Sequence, residues 1–336
     1  MVTLDPPLSF EAKCWSTLVY TGHAMDETGD SLHDLPDLSD DGSRSDAMPQ
    51  TIGRFHVRDV LGRGGMGVVY LAYDPKMDRQ VALKMIDEPT RDPLRHDALE
   101  KRLDRELKNL ARVTPHDHIA TVFEPGEVDD RLFIVMQYVP GVSLVQRLAA
   151  GRMAVDEAIR IARCIARAVT HAHSRGVIHR DLKPGNVIIG DGGAVTVLDF
   201  GLGKVLTADD DLTGAKRIGT PSSMSPEQVQ CNGTTEATDV WSLAVMLVEM
   251  LTGERLFNAT AGDVYGAILT RPIDLGVLPD GCGRPLRSVL EQALSRDASR
   301  RPTMARFLEV LKCAGDDTAF TNFDLPSSRP TFVGRQ

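Results

Sequence analysis

The sequence lacks the features that mark several classes of protein. Its five cysteines are spread singly along the chain and include no C-x-x-C pair, which argues against both a disulfide framework and a zinc site. The most apolar stretch, VWSLAVMLVEML from Val240, is too short to cross a bilayer and contains Glu249. The chain does not open with a basic region followed by an apolar stretch, so no signal peptide is expected. These absences predict a protein without a membrane span in a reducing, cytoplasmic setting.

Basic residues are fewer than acidic ones, and the acidic excess is unevenly spread. The 336 residues include 38 Lys and Arg against 47 Asp and Glu, a net charge of −9. Most of that excess lies near the N-terminus, in text such as DETGDSLHDLPDLSDDGSRSD, and the remainder is nearly neutral. A nearly neutral body gives no electrostatic reason to expect nucleic-acid binding. Residues 1–51 are therefore predicted to be an acidic, disordered N-terminal arm, with a docking or autoregulatory tail as the alternative, and residues 314–336 a C-terminal tail.

A glycine-rich stretch, LGRGGMGVVYLAYD from Leu61, has the spacing G-x-G-x-x-G at Gly62, Gly64 and Gly67. The spacing fits a dinucleotide-binding crossover, a glycine flap over the phosphates of ATP, or a simple turn. A dinucleotide site needs a helix after the glycines, but the third glycine runs into VVYLAY, which favours a strand. The glycines are therefore predicted to bend a hairpin whose backbone can approach an anion closely, and hydride transfer is excluded.

The text around the hairpin predicts a sheet with one main helix. Three runs rich in β-branched residues, IGRFHVRDVLG, GVVYLAYD and RQVALKMID, are predicted to be antiparallel strands. A charged stretch follows, and the i, i+4 spacing of Leu99, Leu103 and Leu107 predicts an amphipathic helix. Two more strands are predicted at Ile119–Glu124 and Leu132–Tyr138.

Helices are predicted for most of the remaining chain. Asp156 is the expected N-cap of EAIRIARCIARAVTHAHSR, which should end at Gly176. A second helix, apolar nearly all round, is expected to begin after Asp239, end at Gly253 and lie in the middle of a core. Two further helices are predicted at Leu286–Ser295 and Met304–Cys313.

Four motifs in order carry a family resemblance. VALK supplies Lys84 on the strand after the hairpin, and HRDLKPGN (His179–Asn186), DFG (Asp199–Gly201) and SPE (Ser225–Glu227) follow. In order and spacing these motifs resemble the protein kinase superfamily over roughly Phe55 to Leu311. In detail, GRGGMGVVYLA, HRDLKPGNVI and GTPSSMSPE are most similar to the bacterial serine/threonine kinases of eukaryotic (Hanks) type.

The resemblance implies an α+β, bilobal protein kinase fold. The kinase domain is expected at 52–313, with a small antiparallel β-sheet and one main helix in an N-lobe (52–138) and a larger, mostly helical C-lobe (143–313). The implied activity is transfer of the ATP γ-phosphate to Ser/Thr hydroxyls of proteins, including autophosphorylation of the activation loop. Protein substrates are the implied partners, and a transient homodimer is the expected arrangement for autophosphorylation in trans.

The resemblance also implies a nucleotide site. The glycines would lie over the phosphates, Lys84 would contact them, and Glu106, with Glu100 as the alternative, would pair with that lysine. Val69 and Ala82 would enclose the adenine, Met136 would be the gatekeeper, and the backbone at positions 137 and 139 would bind adenine. The full set is Leu61, Gly62, Arg63, Gly64, Gly65, Met66, Gly67, Val68, Val69, Ala82, Lys84, Glu106, Met136, Gln137 and Val139.

The implied catalytic residues are Lys84, Asp181, Lys183, Asn186 and Thr220. Asp181 would accept the proton of the substrate hydroxyl or orient that hydroxyl, and Lys183 would stabilise the γ-phosphate. Thr220 would bond both side chains, which favours serine and threonine as acceptors. Asn186 and Asp199 would hold Mg²⁺, with Mn²⁺ as an alternative.

Regulatory and structural roles follow from the same resemblance. Arg180 would answer a phosphate on the activation loop, and His179 is expected to be a packing residue. Glu227 is expected to pair with Arg301, and Asp239 to anchor the backbone of the catalytic loop. The acceptors on the activation loop, of which Thr213 is preferred, are Thr207, Thr213, Thr220, Ser222 and Ser223.

Two other classes of function are weighed against this one. A pseudokinase would bind nucleotide or act as a scaffold without turnover, and loss of Lys84, Asp181, Asn186 or Asp199 would favour it; all four are present. A small-molecule phosphotransferase of related fold would have a catalytic loop that diverges from HRDLKPGN and would lack the Thr-Pro…Pro-Glu segment.

Overall fold

A computed structural model describes residues 48–64, 67–86, 93–201, 221–257 and 264–314. The chain divides into two compact units, one formed by Met1–Thr90 with Phe123–Tyr138 and the other by Arg91–Val122 with Val139–Gln336. The predicted N-terminal arm up to residue 47, residues 202–220 of the predicted activation loop (201–227) and the tail from residue 315 lie outside the described residues.

The first unit is built on a six-stranded sheet with the order β1-β2-β3-β4-β6-β5. The pairs β1–β2, β2–β3, β3–β4 and β4–β6 are antiparallel. The strands are β1 (Thr51–Ile52), β2 (Phe55–Gly64), β3 (Gly67–Asp74), β4 (Arg79–Met85), β5 (Val122–Val128) and β6 (Arg131–Gln137).

The hydrophobic core of this unit lies against one face of the sheet. Phe55, Leu83 and Val135 are buried there, as expected for alternating apolar positions on strands. The Phe133 ring meets that of Phe55 edge to face, with centroids 6.0 Å apart. Gly126 leaves room for the same ring, because a Cβ atom at that position would lie 2.2 Å from Phe133 Cζ. Aromatic packing therefore fills the space that the glycine leaves.

The glycine-rich stretch forms a hairpin, as predicted. β2 ends at Gly64, β3 begins at Gly67, and these two residues are paired. Gly67 has a φ of 119°, a conformation that L-residues rarely adopt. A strand rather than a helix follows the glycines, so the dinucleotide-crossover alternative is excluded. The strand predicted at Ile119–Glu124 instead runs over Val122–Val128.

The second unit is mostly helical and also contains a three-stranded antiparallel sheet, β7 (Val142–Ser143), β8 (Val187–Ile189) and β9 (Val195–Val197). The charged helix that follows β4 in the chain falls within this unit. The described helices are α1 (Pro93–Leu110), α2 (Leu144–Ala149), α3 (Val155–His173), α4 (Pro226–Val229), α5 (Glu236–Thr252), α6 (Val264–Thr270), α7 (Arg284–Ala293) and α8 (Met304–Ala314).

Helix α5 is the centre of this unit's core, as its apolar sequence predicts. Every residue from Thr238 to Leu251 is buried. The helix ends at Gly253 as predicted, where the φ of 76° is the left-handed conformation of a glycine cap. Its predicted start was wrong, because Thr235 is the N-cap and Asp239 lies inside the first turn. Across the described ranges, no helix is both long and apolar enough to cross a membrane.

The predicted N-cap of α3 was also wrong. Ala154 occupies the cap position without a side-chain hydrogen bond, and Asp156 lies in the first turn with Glu157. A carboxylate in the first turn still stabilises a helix through its interaction with the helix dipole. The Glu157 carboxylate is also held by Arg147 at 2.7 Å, so charge interactions take the place of a side-chain cap.

A buried carboxyl group on α5 should make the stability of the fold depend on pH. Burial raises the pKa of Glu249 to about 7 from the ordinary 4.5, although Arg255 partly opposes the shift. Because folding raises this pKa, the protonated Glu249 side chain makes its full contribution to stability below pH 4.5. That contribution is lost as the pH rises through 7. The loss corresponds to roughly 3 kcal/mol.

We therefore expect the Glu249→Gln variant, which carries no charge there, to lack this loss. Urea unfolding from pH 5 to pH 8 should show the variant gaining on the wild type as pH rises, up to roughly 3 kcal/mol. The difference between the two chains isolates this group, because other titrating groups contribute equally to both. A difference that stays constant with pH would contradict the assignment.

Candidate active site

The backbone of the HRDLKPGN loop (His179–Asn186) is anchored by a buried carboxylate. Asp239 on α5 is completely buried and accepts hydrogen bonds from the backbone N–H groups of His179 and Arg180, both at 2.9 Å. The predicted anchoring role of Asp239 is thus confirmed. Arg180 has a φ of 68°, an uncommon conformation for a non-glycine residue that persists where surrounding contacts fix it.

A histidine that sequence reasoning missed completes this anchor. His173, at the end of α3, is buried, and its Nε2 lies 2.7 Å from Asp239 Oδ2. The second ring nitrogen lies 3.9 Å from the Glu236 carboxylate. A buried carboxylate needs such partners, because an unpaired charge in the interior is costly. The available signal was its position on the buried side of α3, shortly before the HRDLKPGN loop.

Three of the predicted catalytic residues converge within the loop. Lys183 Nζ lies 2.8 Å from Asp181 Oδ2. Asn186 Nδ2 donates to the Asp181 carbonyl oxygen at 2.8 Å and to its Oδ2 at 3.3 Å. The Asp181 and Lys183 side chains are about one-fifth exposed, at 17% and 21%. The carboxylate is therefore oriented by two donors and still open to a ligand.

The DFG segment lies beside the same loop. Leu198 N donates to the Asn186 carbonyl oxygen at 2.8 Å, which brings the segment that leads to Asp199 next to Asn186. Asp199 has a φ of 58°, a conformation that non-glycine residues seldom adopt. His179 is buried, as expected of a packing residue, and its ring packs against the ring of the buried Phe200, with centroids 4.6 Å apart.

Part of the predicted nucleotide site shares one face of the sheet in the first unit. Val69 pairs with Lys84, and Ala82 pairs with Met136. Directly paired residues point to the same side, as do residues two apart on one strand. Val69, Ala82, Lys84 and Met136 therefore line the same face, and the last three are buried.

The remaining predicted residues are distributed as follows. Glu106 is buried on α1 in the second unit, and its pairing with Lys84 stays a prediction. Val139 also belongs to the second unit. Gly65, Met66 and Thr220, together with Thr207 and Thr213, lie outside the described residues. The other predicted nucleotide contacts lie on the strands of the first unit: Leu61, Gly62, Arg63, Gly64, Gly67, Val68 and Gln137.

The predicted pair of Glu227 and Arg301 is confirmed. Arg301 NH1 and NH2 donate to the two carboxylate oxygens of Glu227, each at 2.8 Å. Burial alone would raise the pKa of Glu227, but its bonds to Arg301 and Thr238 hold that pKa below its usual range. The pair ties the start of α4, where the predicted activation loop ends, to the segment before α8.

Few metal-binding side chains gather in the described part of the chain. Within those ranges, no group of three or more His, Cys, Asp or Glu side chains could hold a metal ion. Of the two predicted metal ligands, Asn186 donates to Asp181, and Leu198, which directly precedes Asp199, donates from its backbone N–H to the Asn186 carbonyl oxygen. A divalent ion at such a site would take its other ligands from water or phosphate.

Comparison with known proteins gives a consistent match. The sequence profile of the protein kinase domain matches residues 55–311. The chain is 34% identical over 264 residues to the serine/threonine-protein kinase PksC of Streptomyces coelicolor, covering 74% of this chain and 46% of the relative. It is 33% identical over 262 residues to the serine/threonine-protein kinase PknB of Mycobacterium leprae, covering 75% and 41%. The chain thus spans less than half the length of these curated relatives.

Proposed function

Since this chain belongs to the protein kinase family, and its relatives are bacterial serine/threonine-protein kinases of Hanks type, we propose that it transfers the γ-phosphate of ATP to serine and threonine hydroxyls of proteins. The observation that carries the proposal is the convergence of Lys183 and Asn186 on the Asp181 carboxylate. Phosphoryl transfer needs an aligned hydroxyl and compensated phosphate charge, and this loop offers groups suited to both tasks.

Asp181 has the role of aligning the acceptor. Its carboxylate accepts a hydrogen bond from the substrate hydroxyl and takes the proton as the oxygen bonds to phosphorus. Lys183, 2.8 Å from that carboxylate, carries a positive charge that can move to the γ-phosphate when ATP is bound. Thr220 bonds both side chains in the proposal and so favours serine and threonine acceptors.

Asn186 and Asp199 are the proposed ligands of a divalent metal ion. Asn186 donates from Nδ2 to Asp181, so its Oδ1 is the atom left to bind a cation. An amide oxygen and a carboxylate suit Mg²⁺, which prefers oxygen ligands, and Mn²⁺ is the alternative. When bound, the ion supplies compensation for the negative charge of the phosphates.

The nucleotide is proposed to lie on the shared face formed by Val69, Ala82, Lys84 and Met136. Val69 and Ala82 have apolar aliphatic side chains suited to adenine, and the charge of Lys84 suits the phosphates. The hairpin that joins Gly64 to Gly67 can cover phosphates because glycine has no Cβ atom in the way. Pairing of Lys84 with Glu106 on α1 completes the proposed site.

Control of the activity is proposed to rest on the activation loop. A phosphate on Thr213 pairs with Arg180, and a transient homodimer allows one copy to phosphorylate another. We take 52–313 as the kinase domain, with lobes at 52–138 and 143–313. The five cysteines are spread singly along the sequence, which argues against a disulfide framework and so supports the proposal of a cytoplasmic location.

Label transfer from γ-³²P ATP tests the proposed function. The purified chain, incubated with Mg²⁺ and a generic basic protein, is expected to label that protein on serine and threonine. Removal of the metal with EDTA should reduce the labelling to background, and added Mg²⁺ should restore it, because charge compensation is lost and regained. Phosphoamino-acid analysis of the product supplies the measurement.

Two results would contradict the proposal. Binding of ATP without label on any protein would instead identify a pseudokinase, and label on a small molecule alone would identify a small-molecule phosphotransferase. Calcium added in place of Mg²⁺ is the matched control, because it satisfies the chelator without the tight octahedral geometry that Mg²⁺ imposes.

A further inference from the structure

A short loop between α4 and α5 presents a threonine next to the catalytic loop. The loop begins after Val229 and ends at the N-cap Thr235. Asn232 N donates to the Glu227 carbonyl oxygen at 2.9 Å, which fixes the start of the loop. Gly233 has a φ of 82°, and a Cβ atom there would meet nothing within 4 Å. The tip of the loop therefore stands clear, with Thr234 partly exposed beside it.

The Thr234 hydroxyl faces the arginine of HRDLKPGN. Arg180 Nε donates to Thr234 Oγ1 at 3.2 Å. The backbone of Arg180 is fixed on both sides, because its N–H donates to Asp239 and its carbonyl oxygen accepts from Gln228 Nε2 at 2.7 Å. Within the described residues, the bond to Thr234 is the one hydrogen bond of the guanidinium, which has five N–H donors. With respect to the described part of the chain, the other donors of this guanidinium suit a ligand with several acceptor oxygens.

We propose that Thr234 is an autophosphorylation site whose phosphate pairs with Arg180. The inference rests on the proposed function, because ATP supplies the phosphoryl group. Thr234 Oγ1 of one copy bonds to the γ-phosphorus as the bond from phosphorus to the β,γ-bridging oxygen breaks. ADP leaves, and the hydroxyl proton passes to Asp181 of the acting copy and then to solvent. The reaction needs no further reagent.

The surroundings of Thr234 favour a phosphate. A phosphothreonine carries a charge of about −1.5 to −2 and three acceptor oxygens, so a neutral hydrogen bond to Arg180 becomes a charge-assisted one. Thr234 also immediately precedes the N-cap of α5, a helix of 17 residues. Anions are stabilised at helix N-termini by the helix dipole. Glu236 opposes the phosphate, but its side chain is 56% exposed and screened by water.

The neighbouring Thr235 provides an internal control. It is the N-cap of α5, and its backbone N–H donates to Thr238 Oγ1 at 3.2 Å. In the described part of the chain, no hydrogen bond joins Thr235 to Arg180. Two adjacent hydroxyls of the same type thus differ in their relation to the guanidinium. A phosphate that depends on Arg180 should therefore appear at position 234 and not at 235.

Phosphosite mapping in a mixture of two chains tests the modification. An affinity-tagged Asp181→Asn chain is incubated with untagged wild type, ATP and Mg²⁺, and the tagged chain is recovered for mass spectrometry. Phosphate is expected on Thr234 of the tagged chain. A generic basic protein is assayed in parallel with the same wild type. If that protein is labelled while Thr234 stays unmodified, the inference fails and the proposed function stands; if nothing is labelled, both fail.

A second measurement tests the pairing with Arg180 without any need for activity. Thr234→phosphoserine, introduced by genetic encoding, is expected to raise the Tm by about 2–4 °C relative to Thr234→Ser, the shift that one added charge-assisted pair should give in a domain of this size. In an Arg180→Met background the rise should vanish. If the methionine variant does not fold, Arg180→Lys replaces it as the comparison background, because lysine keeps the charge but lacks the planar fork. An equal rise in every background would overturn the pairing.

Discussion

Replacement of Asp181 with asparagine is expected to lower kcat for phosphoryl transfer by about 10²–10⁴-fold. Asparagine has nearly the same shape, so Lys183 and Asn186 can still bond to the side chain, and the loop should keep its conformation. What the substitution removes is the negative charge and the proton acceptor that face the substrate hydroxyl. The loss should therefore appear in the chemical step and leave the affinity for ATP nearly unchanged.

The measurement is a steady-state assay with a protein acceptor, together with the Kd for ATP and the free energy of unfolding. Asp191→Asn is the matched control, because it makes the same chemical change at an exposed position after β8. The control should keep wild-type kcat. An Asp181→Asn variant as active as the control would remove Asp181 from its proposed role. The free energy of unfolding shows whether a loss of activity comes instead from a loss of folding.

Local spacing explains how much of the site could be predicted from the sequence. Asp181, Lys183 and Asn186 are close in the chain, so a single tight loop brings them together whatever the rest of the fold does. The hairpin was predictable for the same reason, because Gly64 and Gly67 flank a turn between runs that favour strands. The anchoring of the loop by Asp239 followed from the family resemblance rather than from any local pattern.

Contacts between distant elements were not predictable in this way. His173 is separated from Asp239 by 66 positions, and nothing in the periodicity of α3 distinguishes a hydrogen-bonded histidine from a packed one. Helix starts were wrong by a few residues for a related reason. Asp156 and Asp239 are good caps by residue type. Ala154 nevertheless caps α3, where a cap preference worth about 1 kcal/mol is outweighed. Helix α5 starts earlier, at Thr235, which is itself a favoured cap residue and forms a capping box.

Family patterns and geometry also contribute differently to Arg180. The resemblance assigns its guanidinium to a phosphate on the activation loop, and the structure adds a hydroxyl acceptor, Thr234, on a second loop. A single guanidinium with two candidate phosphates would link the state of the loop before α5 to that of the activation loop. The sequence alone shows two adjacent threonines there and offers no means to separate them.

Loss of Arg301 is expected to have the largest effect on stability. Its side chain is completely buried and donates to Glu227 and to the carbonyl oxygens of Ser295 and Ala237. Arg301→Met keeps much of the volume but leaves the Glu227 carboxylate and the carbonyl groups without these donors. Removal of one partner from a buried ion pair costs about 3–5 kcal/mol, so we expect the free energy of unfolding to fall by about that amount.

Urea denaturation measures this cost, and Arg306→Met, an exposed change on α8, is the matched control that should shift stability by less than about 0.5 kcal/mol. The combined Glu227→Gln and Arg301→Met variant separates the lost charge pair from lost packing. Because the neutral amide no longer leaves a buried charge unpaired, the double variant should be more stable than the sum of the two single losses requires. If the stability losses of the two single variants add strictly in the double variant, Arg301 acts through its packing and carbonyl contacts alone. The ion pair with Glu227 would then have no special part in fixing the end of the activation loop.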